Sequence, residues 1–326
     1  MRFDSSADIS RARFVSGAGA ALGLLTASRV CAQTPAGATT LRIGIIPSDG
    51  ITAVAYANEA GLFTKAGLDV QLMPQSSGSA IAAGVVAGDY DIGESSTSSL
   101  LVAHERGVPF TIVASAGVYD SRSIFSGSIT LKDSPLHFGA DANGATFGVP
   151  SLSDIGHDAF CAWVDQHGGS SSTLRFVEIP FTLSAAAVEQ QRVVAAELAA
   201  PGLTAALDTG KFRLLPIYNA IAPTFLLSAC FTTTEFAAKN TDALRRFARV
   251  VTAAGAYANG HHAETVPMMA KLSGIPADQL LHMPRALQGV KVTPELIQPV
   301  IAAAAKYGSL KNSFPAQELI DADVIA

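Results

Sequence analysis

The chain has 326 residues, 49% of them hydrophobic and 15% charged, with a formal charge of -5. That composition excludes a disordered chain and supplies enough apolar residues for two lobes sharing one core, or for two ordinary domains. Beyond Arg249 its basic residues stand singly, Lys271, Arg285 and Lys291 among them. No basic patch awaits a polyanion, so nucleic acid is not expected as a partner.

The N-terminus carries the first specific signal. Arg11 and Arg13 precede an uncharged apolar run over 14–27, and Val30-Cys31-Ala32 sets small residues before Gln33. Basic region, apolar core and small-residue cleavage site, in that order, read as a signal peptide over residues 1–32 and place the mature protein in the periplasm. The run is too short and Gly-rich to cross ~30 Å of hydrocarbon. The order suits the general or the twin-arginine route, with Ala12 where the latter has its second arginine. Cys161 and Cys230 remain in the mature chain and read as buried free thiols. No later apolar stretch reaches membrane-spanning length, since Glu197, Pro201 and Gly202 interrupt the longest one.

Order begins with a strand over 41–46. A helix over 51–60 follows, closed by Gly61, then a strand over 68–72 and a helix over 79–87 stopped by Gly88. A third strand over 90–93, a helix up to Arg106 and a strand over 110–114 complete a βαβαβαβ unit, which predicts a mostly parallel sheet covered by helices. The punctuation restarts with a strand over 145–149, a helix over 154–166, a strand over 174–179, a helix around 184–194 and an apolar segment over 195–200. Two such units imply two lobes, joined near 115–119. Beyond Thr241 the pattern is helical, over 242–259, 261–272, 276–282, 294–307 and 316–322. No internal repeat is evident in the sequence.

In open parallel sheets, ligands bind beyond the carboxyl ends of the strands, where helix N-termini offer unpaired N–H groups. Four such loops are rich in hydroxyls: Pro47-Ser48-Asp49-Gly50, Gln75-Ser76-Ser77-Gly78, Glu94-Ser95-Ser96-Thr97-Ser98 and Pro150-Ser151-Leu152-Ser153. Any one of them is explained equally well by helix capping. Four together, from both halves, point to a polar ligand held between lobes. Catalytic patterns are missing: no Gly-x-Ser-x-Gly elbow and no Gly-x-Gly-x-x-Gly after the first strand. Asp154, His157 and Asp158 share a helical face but read as a solvated helix start rather than a metal group. Trp163 reads as helix core, and His261-His262 as an exposed helix start. Tyr119, at the interlobe joint, is placed either to cover a ligand or to support the joint. No cofactor or metal is expected.

The stretches Ile43-Gly44-Ile45, 60–70 (AGLFTKAGLDV), 88–93 (GDYDIG), Lys132-Asp133-Ser134-Pro135, 148–153 (GVPSLS), Val177-Glu178-Ile179-Pro180, 192–201, 231–236 (FTTTEF) and Tyr307-Gly308 resemble, in order and spacing, nitrate/sulfonate/taurine-type substrate-binding proteins of ABC transporters. The likeness covers nearly all of the mature chain. It implies a two-lobed type II periplasmic-binding-protein fold, each lobe a mostly parallel sheet flanked by helices, with a helical C-terminal tail. Lobe 1 would comprise 41–118 and 222–326 and lobe 2 residues 119–221, with crossover strands near 115–119 and 220–224. By position it implies ligand contacts at Ser48, Asp49, Ser76, Ser77, Ser96, Thr97, Ser151 and Ser153, together with Tyr119 and Glu197. It also implies no catalysis, a monomer, a small-molecule ligand and the membrane permease of an ABC importer as partner. Asp49, Glu94 and Asp154 depart from an anion site, and no arginine lies in the four loops, which keeps an amine, an amide or a neutral heterocycle open as ligand. The rival readings are an intracellular enzyme of the same fold acting on a pyrimidine precursor, and a stand-alone ligand sensor.

Overall fold

Alternating apolar strands and glycine-stopped helices build two five-stranded sheets of one design. The computed structural model describes residues 37–325 apart from Ser76, Phe138 and Ser153, so the expected signal peptide lies outside the described residues. The chain opens with β1 (Thr39–Ile45), a 3-10 turn at Asp49–Ile51, α1 (Thr52–Glu59), α2 (Leu62–Lys65), β2 (Leu68–Pro74), α3 (Gly78–Ala87), β3 (Ile92–Ser96), α4 (Thr97–Glu105) and β4 (Phe110–Ser115). β5 (Gly117–Asp120) leads into β6 (Ser126–Leu131), β7 (Thr146–Val149), α5 (Ile155–Gln166), β8 (Arg175–Glu178), α6 (Phe181–Glu189), β9 (Ala195–Ala199), α7 (Gly202–Asp208) and β10 (Phe212–Leu215). β11 (Thr224–Leu226) returns to β12 (Ser228–Thr233). There follow α8 (Thr234–Gly260), α9 (His262–Ser273), α10 (Ala277–His282), β13 (Leu287–Gln288), α11 (Pro294–Tyr307) and α12 (Ala322–Ile325).

The first sheet has the order β2-β1-β3-β12-β4 and the second β8-β7-β9-β6-β10. In each, four strands run one way and the next-to-last, β12 or β6, runs against its neighbours. The registers match as well. Glu94, third in β3, lies opposite Cys230, third in β12; Glu197, third in β9, lies opposite Ser128, third in β6. The two lobes therefore share one topology.

Side-chain alternation places two apolar layers on the first sheet. Leu41, Ile43, Ile92 and Val113 pack with Val54, Phe247 and Val251 of α1 and α8. On the other face Ile112 and Phe231 join Ile81, Leu100 and Ile297 of α3, α4 and α11. That second cluster continues through Val118, Tyr119 and Phe225 to Phe147, Phe160 and Trp163 in the second lobe, so core and hinge are one packed body. Across the other face of the second sheet, Ile129, Ala196 and Leu198 meet Val188 and Leu203 of α6 and α7. At the hinge β5 and β11 pair antiparallel, with Tyr119 opposite Phe225, and β13 adds a third strand.

Several boundaries differ from expectation: α8 begins at Thr234 rather than at 242, and α6 spans Phe181–Glu189 rather than 184–194. Glu94 to Ser96 belong to β3, so the 94–98 cluster is a direct strand–helix junction rather than a loop. The helix expected over 316–322 is a 3-10 turn at Ala316–Leu319 followed by α12, because Ile320 between them bridges to Ile112 of β4. Cys161 and Cys230 are buried free thiols. Among the described residues no helix is long and apolar enough to cross a membrane.

Candidate ligand-binding cleft

The carboxyl ends of β1, β2 and β3 carry the loops that start α1, α3 and α4, and those of β7, β8 and β9 carry the loops that start α5, α6 and α7. Lobe 1 contributes three hydroxyl positions. Ser48 is half-buried, with extended backbone, and makes no capping hydrogen bond. Ser77 caps α3, its Oγ accepting from Ala80 N at 3.3 Å and meeting Ser79 Oγ at 3.1 Å. Ser96 caps α4, accepting from Ser99 N at 3.2 Å and meeting Ser99 Oγ at 2.8 Å. From lobe 2, exposed Ser151 lines one groove of about 670 Å³ with Ser79, Ser99, Ala82, Val86, Val102 and Arg106 of lobe 1; Ser48, Ser77 and Ser96 are not among its lining residues. That size and mixture of hydroxyl, apolar and cationic groups suit a small organic molecule with a polar part. Ser76 and Ser153 lie outside the described residues.

Three of the expected contacts do other work. Asp49 is buried in an ion pair with Arg285, which reaches its Oδ1 at 2.7 and 2.6 Å, and its Oδ2 accepts from Ala286 N at 2.6 Å. Gln288 Nε2 donates to Asp49 O while its Oε1 accepts from Ala53 N, both at 3.0 Å. This locks the start of α1 to the C-terminal tail. Thr97 is fully buried and donates to Leu226 O at 2.7 Å, tying α4 to the hinge strand. Tyr119 is also fully buried, stacked on Phe225 and edge-on to Tyr218, with its hydroxyl donating to Asn219 Oδ1 at 2.6 Å. Its ring belongs to the hinge core, and burial pushes its hydroxyl up to about 12.

Glu197 lies deeper than the sequence suggests. It is 2% exposed; Tyr218 donates to its Oε1, and its Oε2 is buried without a partner. A Cβ on Gly156 would stand 1.8 Å from that Oε2, so only glycine lets the first turn of α5 close over the carboxylate. Half-buried Asp154 caps the same helix, its Oδ1 accepting from Ile155 N at 2.6 Å. Burial, then Asp158, pushes the Asp154 carboxyl up to about 6, and burial, then Asp154, drives Glu197 well above the carboxylate range. Asp158 itself is buried, meeting His157 Nδ1 at 3.1 Å and Ser309 Oγ at 2.7 Å, so this face is an interlobe contact and not the solvated helix start expected. Among the described residues no group of acidic, His or Cys side chains is placed to hold a metal ion.

In lobe 1 the equivalent Glu94 is buried, hydrogen-bonded to the Ser228 hydroxyl and the Ile46 backbone, and burial pushes it up to about 7. Ser228 Oγ in turn accepts from Gly117 N at 3.0 Å, in the hinge. Sequence reasoning passed over Ser228, Tyr218 and Arg285. The first two sit in unremarkable apolar stretches, and Arg285 lies 236 residues from its partner.

Known structures share this architecture. The periplasmic aliphatic sulphonate binding protein SsuA from Escherichia coli superposes with a TM-score of 0.72 at 18% identity, over 88% of this chain and 99% of that one. SsuA from Xanthomonas axonopodis pv. citri, bound to MOPS, gives 0.64 at 18% identity over 88% and 96%. The periplasmic nitrate-binding protein NrtA from Synechocystis PCC 6803 gives 0.69 at 15% identity over 88% and 86%. These likenesses establish the two-lobed periplasmic-binding-protein fold. No curated protein matches the sequence. The family profile described as NMT1/THI5 like matches residues 49–265, and by that match the chain belongs to the NMT1/THI5-like family.

Proposed function

We propose that the protein is a periplasmic solute receptor that captures a small polar organic molecule between its lobes and delivers it to the permease of an ABC importer. The observation that carries this reading is the pairing of two sheets of one topology joined through the β5–β11 hinge, with Ser151 of lobe 2 on one groove with Ser79 and Ser99 of lobe 1. Such a hinge lets ligand contacts made by both lobes favour a closed state. The similar structures are named as sulfonate- and nitrate-binding proteins, which supports a binding role over an enzymatic one.

In this reading lobe 1 comprises 41–118 and 222–326, and lobe 2 comprises 119–221. Ser48, Ser77, Ser96 and Ser151 face the ligand, while Asp49, Thr97 and Tyr119 hold the walls in place. The protein acts as a monomer after removal of residues 1–32. A panel of organic acids, sulfonates, amines and pyrimidines, read by equilibrium binding with recovery of the compound, tests it. Saturable binding with the compound recovered unchanged is the expected result; conversion of a bound compound would make the protein an enzyme.

A further inference from the structure

A second hollow lies on lobe 1 and shares no lining residue with the interlobe groove. α8 sets Arg249, Thr252, Ala253 and Ala256 at i, i+3, i+4 and i+7, so they share one face of the helix, and all four are exposed. This face, the end of edge strand β4, residues 290–293 before α11 and the end of α12 enclose a cavity of about 550 Å³. Its wall is mostly apolar, from Val113, Ala114, Ala256, Val292 and Val324. Two cations open onto it, Arg249 from α8 and Lys291 from the segment before α11. Among the described residues neither makes an ion pair or a side-chain hydrogen bond, and no acidic residue lines the cavity. Thr252 adds a hydroxyl, while that of Thr293 is taken by Glu295. On the floor Ser115 is 4% exposed, and its Oγ has no partner. Gly289, where a Cβ would stand 1.6 Å from that oxygen, keeps side-chain bulk off it.

We propose that this cavity is a second binding site, which takes a small organic acid with its apolar body against β4 and α8 and its carboxylate at Arg249 and Lys291. A hollow of this size holds a small molecule, and apolar walls with a few polar groups are the usual make-up of such sites. The apolar body gains by leaving water. The carboxylate gains charge-assisted hydrogen bonds from two cations that have no other partner to give up, and the planar guanidinium matches it in shape. An amine would be repelled by the same two cations, and a neutral alcohol would gain from the walls alone.

The inference stands apart from the receptor reading, and calorimetric titration tests it. 4-Phenylbutanoate and octanoate are titrated into the protein beside 4-phenylbutylamine and 4-phenylbutanol. At least one acid is expected to bind saturably, and about tenfold or more tighter than the amine and the alcohol. Arg249→Gln and Lys291→Gln alter exposed side chains without partners, so both variants fold. Each should weaken the acid about threefold, and the double variant about tenfold or more. Ala253→Trp, at an exposed position on α8, fills the cavity and should abolish acid binding. Acid binding unchanged in both the double variant and Ala253→Trp overturns the inference and leaves the receptor standing, since neither change touches the interlobe groove. Silence from both acids, or an amine or alcohol that binds as tightly as they do, also overturns it.

Discussion

Replacing Arg285 with alanine removes the guanidinium paired with Asp49 and tests what holds the first wall of the cleft. The two side chains are 4% and 6% exposed, and Asp49 keeps only neutral donors, the Ala286 N–H and the Thr52 hydroxyl at 3.1 Å. Breaking such a pair from one side strands a buried charge, which costs about 3–5 kcal/mol. At roughly 2–4 °C per kcal/mol for a protein of this size, Tm should fall by about 6–20 °C. The pair itself is worth much less than its rupture, because ion-pair burial carries its own desolvation cost and Arg285 Nη1 is buried without a partner. The double variant Asp49→Asn/Arg285→Met should therefore recover most of the loss, with a coupling of about 2 kcal/mol or more in a double-mutant cycle. Urea and thermal unfolding of the four proteins measure it. Arg285→Ala within about 1 kcal/mol of the parent, or strictly additive losses in the double variant, would refute the reasoning.

Three further outcomes follow from the same geometry. Gly156→Ala, a change that stabilises an ordinary helix by about 1 kcal/mol, should here destabilise by about 1–3 kcal/mol because its Cβ meets Glu197 Oε2, and Glu197→Ala in the same chain should relieve it, as chemical denaturation can show. Glu94, raised in the folded state from near 4.5 to about 7, stays protonated there when the unfolded chain has lost its proton, so stability falls as pH rises from about 4.5 to 7 and then levels. Glu94→Gln should flatten that slope and leave the protein more stable at pH 8 by about 2–3 kcal/mol; an unchanged slope in the pH series rejects the assignment. Thr97→Val should cost about 1–2 kcal/mol through the lost bond to Leu226 O while leaving ligand affinity within twofold, a result that a direct ligand contact could not give.

The fold was largely legible because its signals are local. Apolar alternation marked β2 and short β-rich runs marked β1 and β4, and glycines closed α1 and α3 where a positive φ was required, as at Gly88. The short strands β5, β10 and β11 were less visible, being of three or four residues with no punctuation of their own. Hydroxyl-rich loops showed where the cleft lies but not which members face it. A serine that caps α4 and a threonine that ties α4 to β11 differ by one position and look alike in sequence. Asp49 was misread for a different reason, since the cation that occupies it comes from the far end of the chain. The equivalence of the lobes was hidden because it resides in strand order and register, with only Gly, Pro, Ser and Asp repeated in the loops.

The central claim is that the two lobes close on a ligand about the β5–β11 hinge. Spin labels at Lys65 and Leu183, exposed residues on the first and second lobes, report that motion as one interlobe distance. With the strongest-binding compound of the panel the distance distribution should move to a single narrower population. An unchanged distribution at saturating compound would contradict the account.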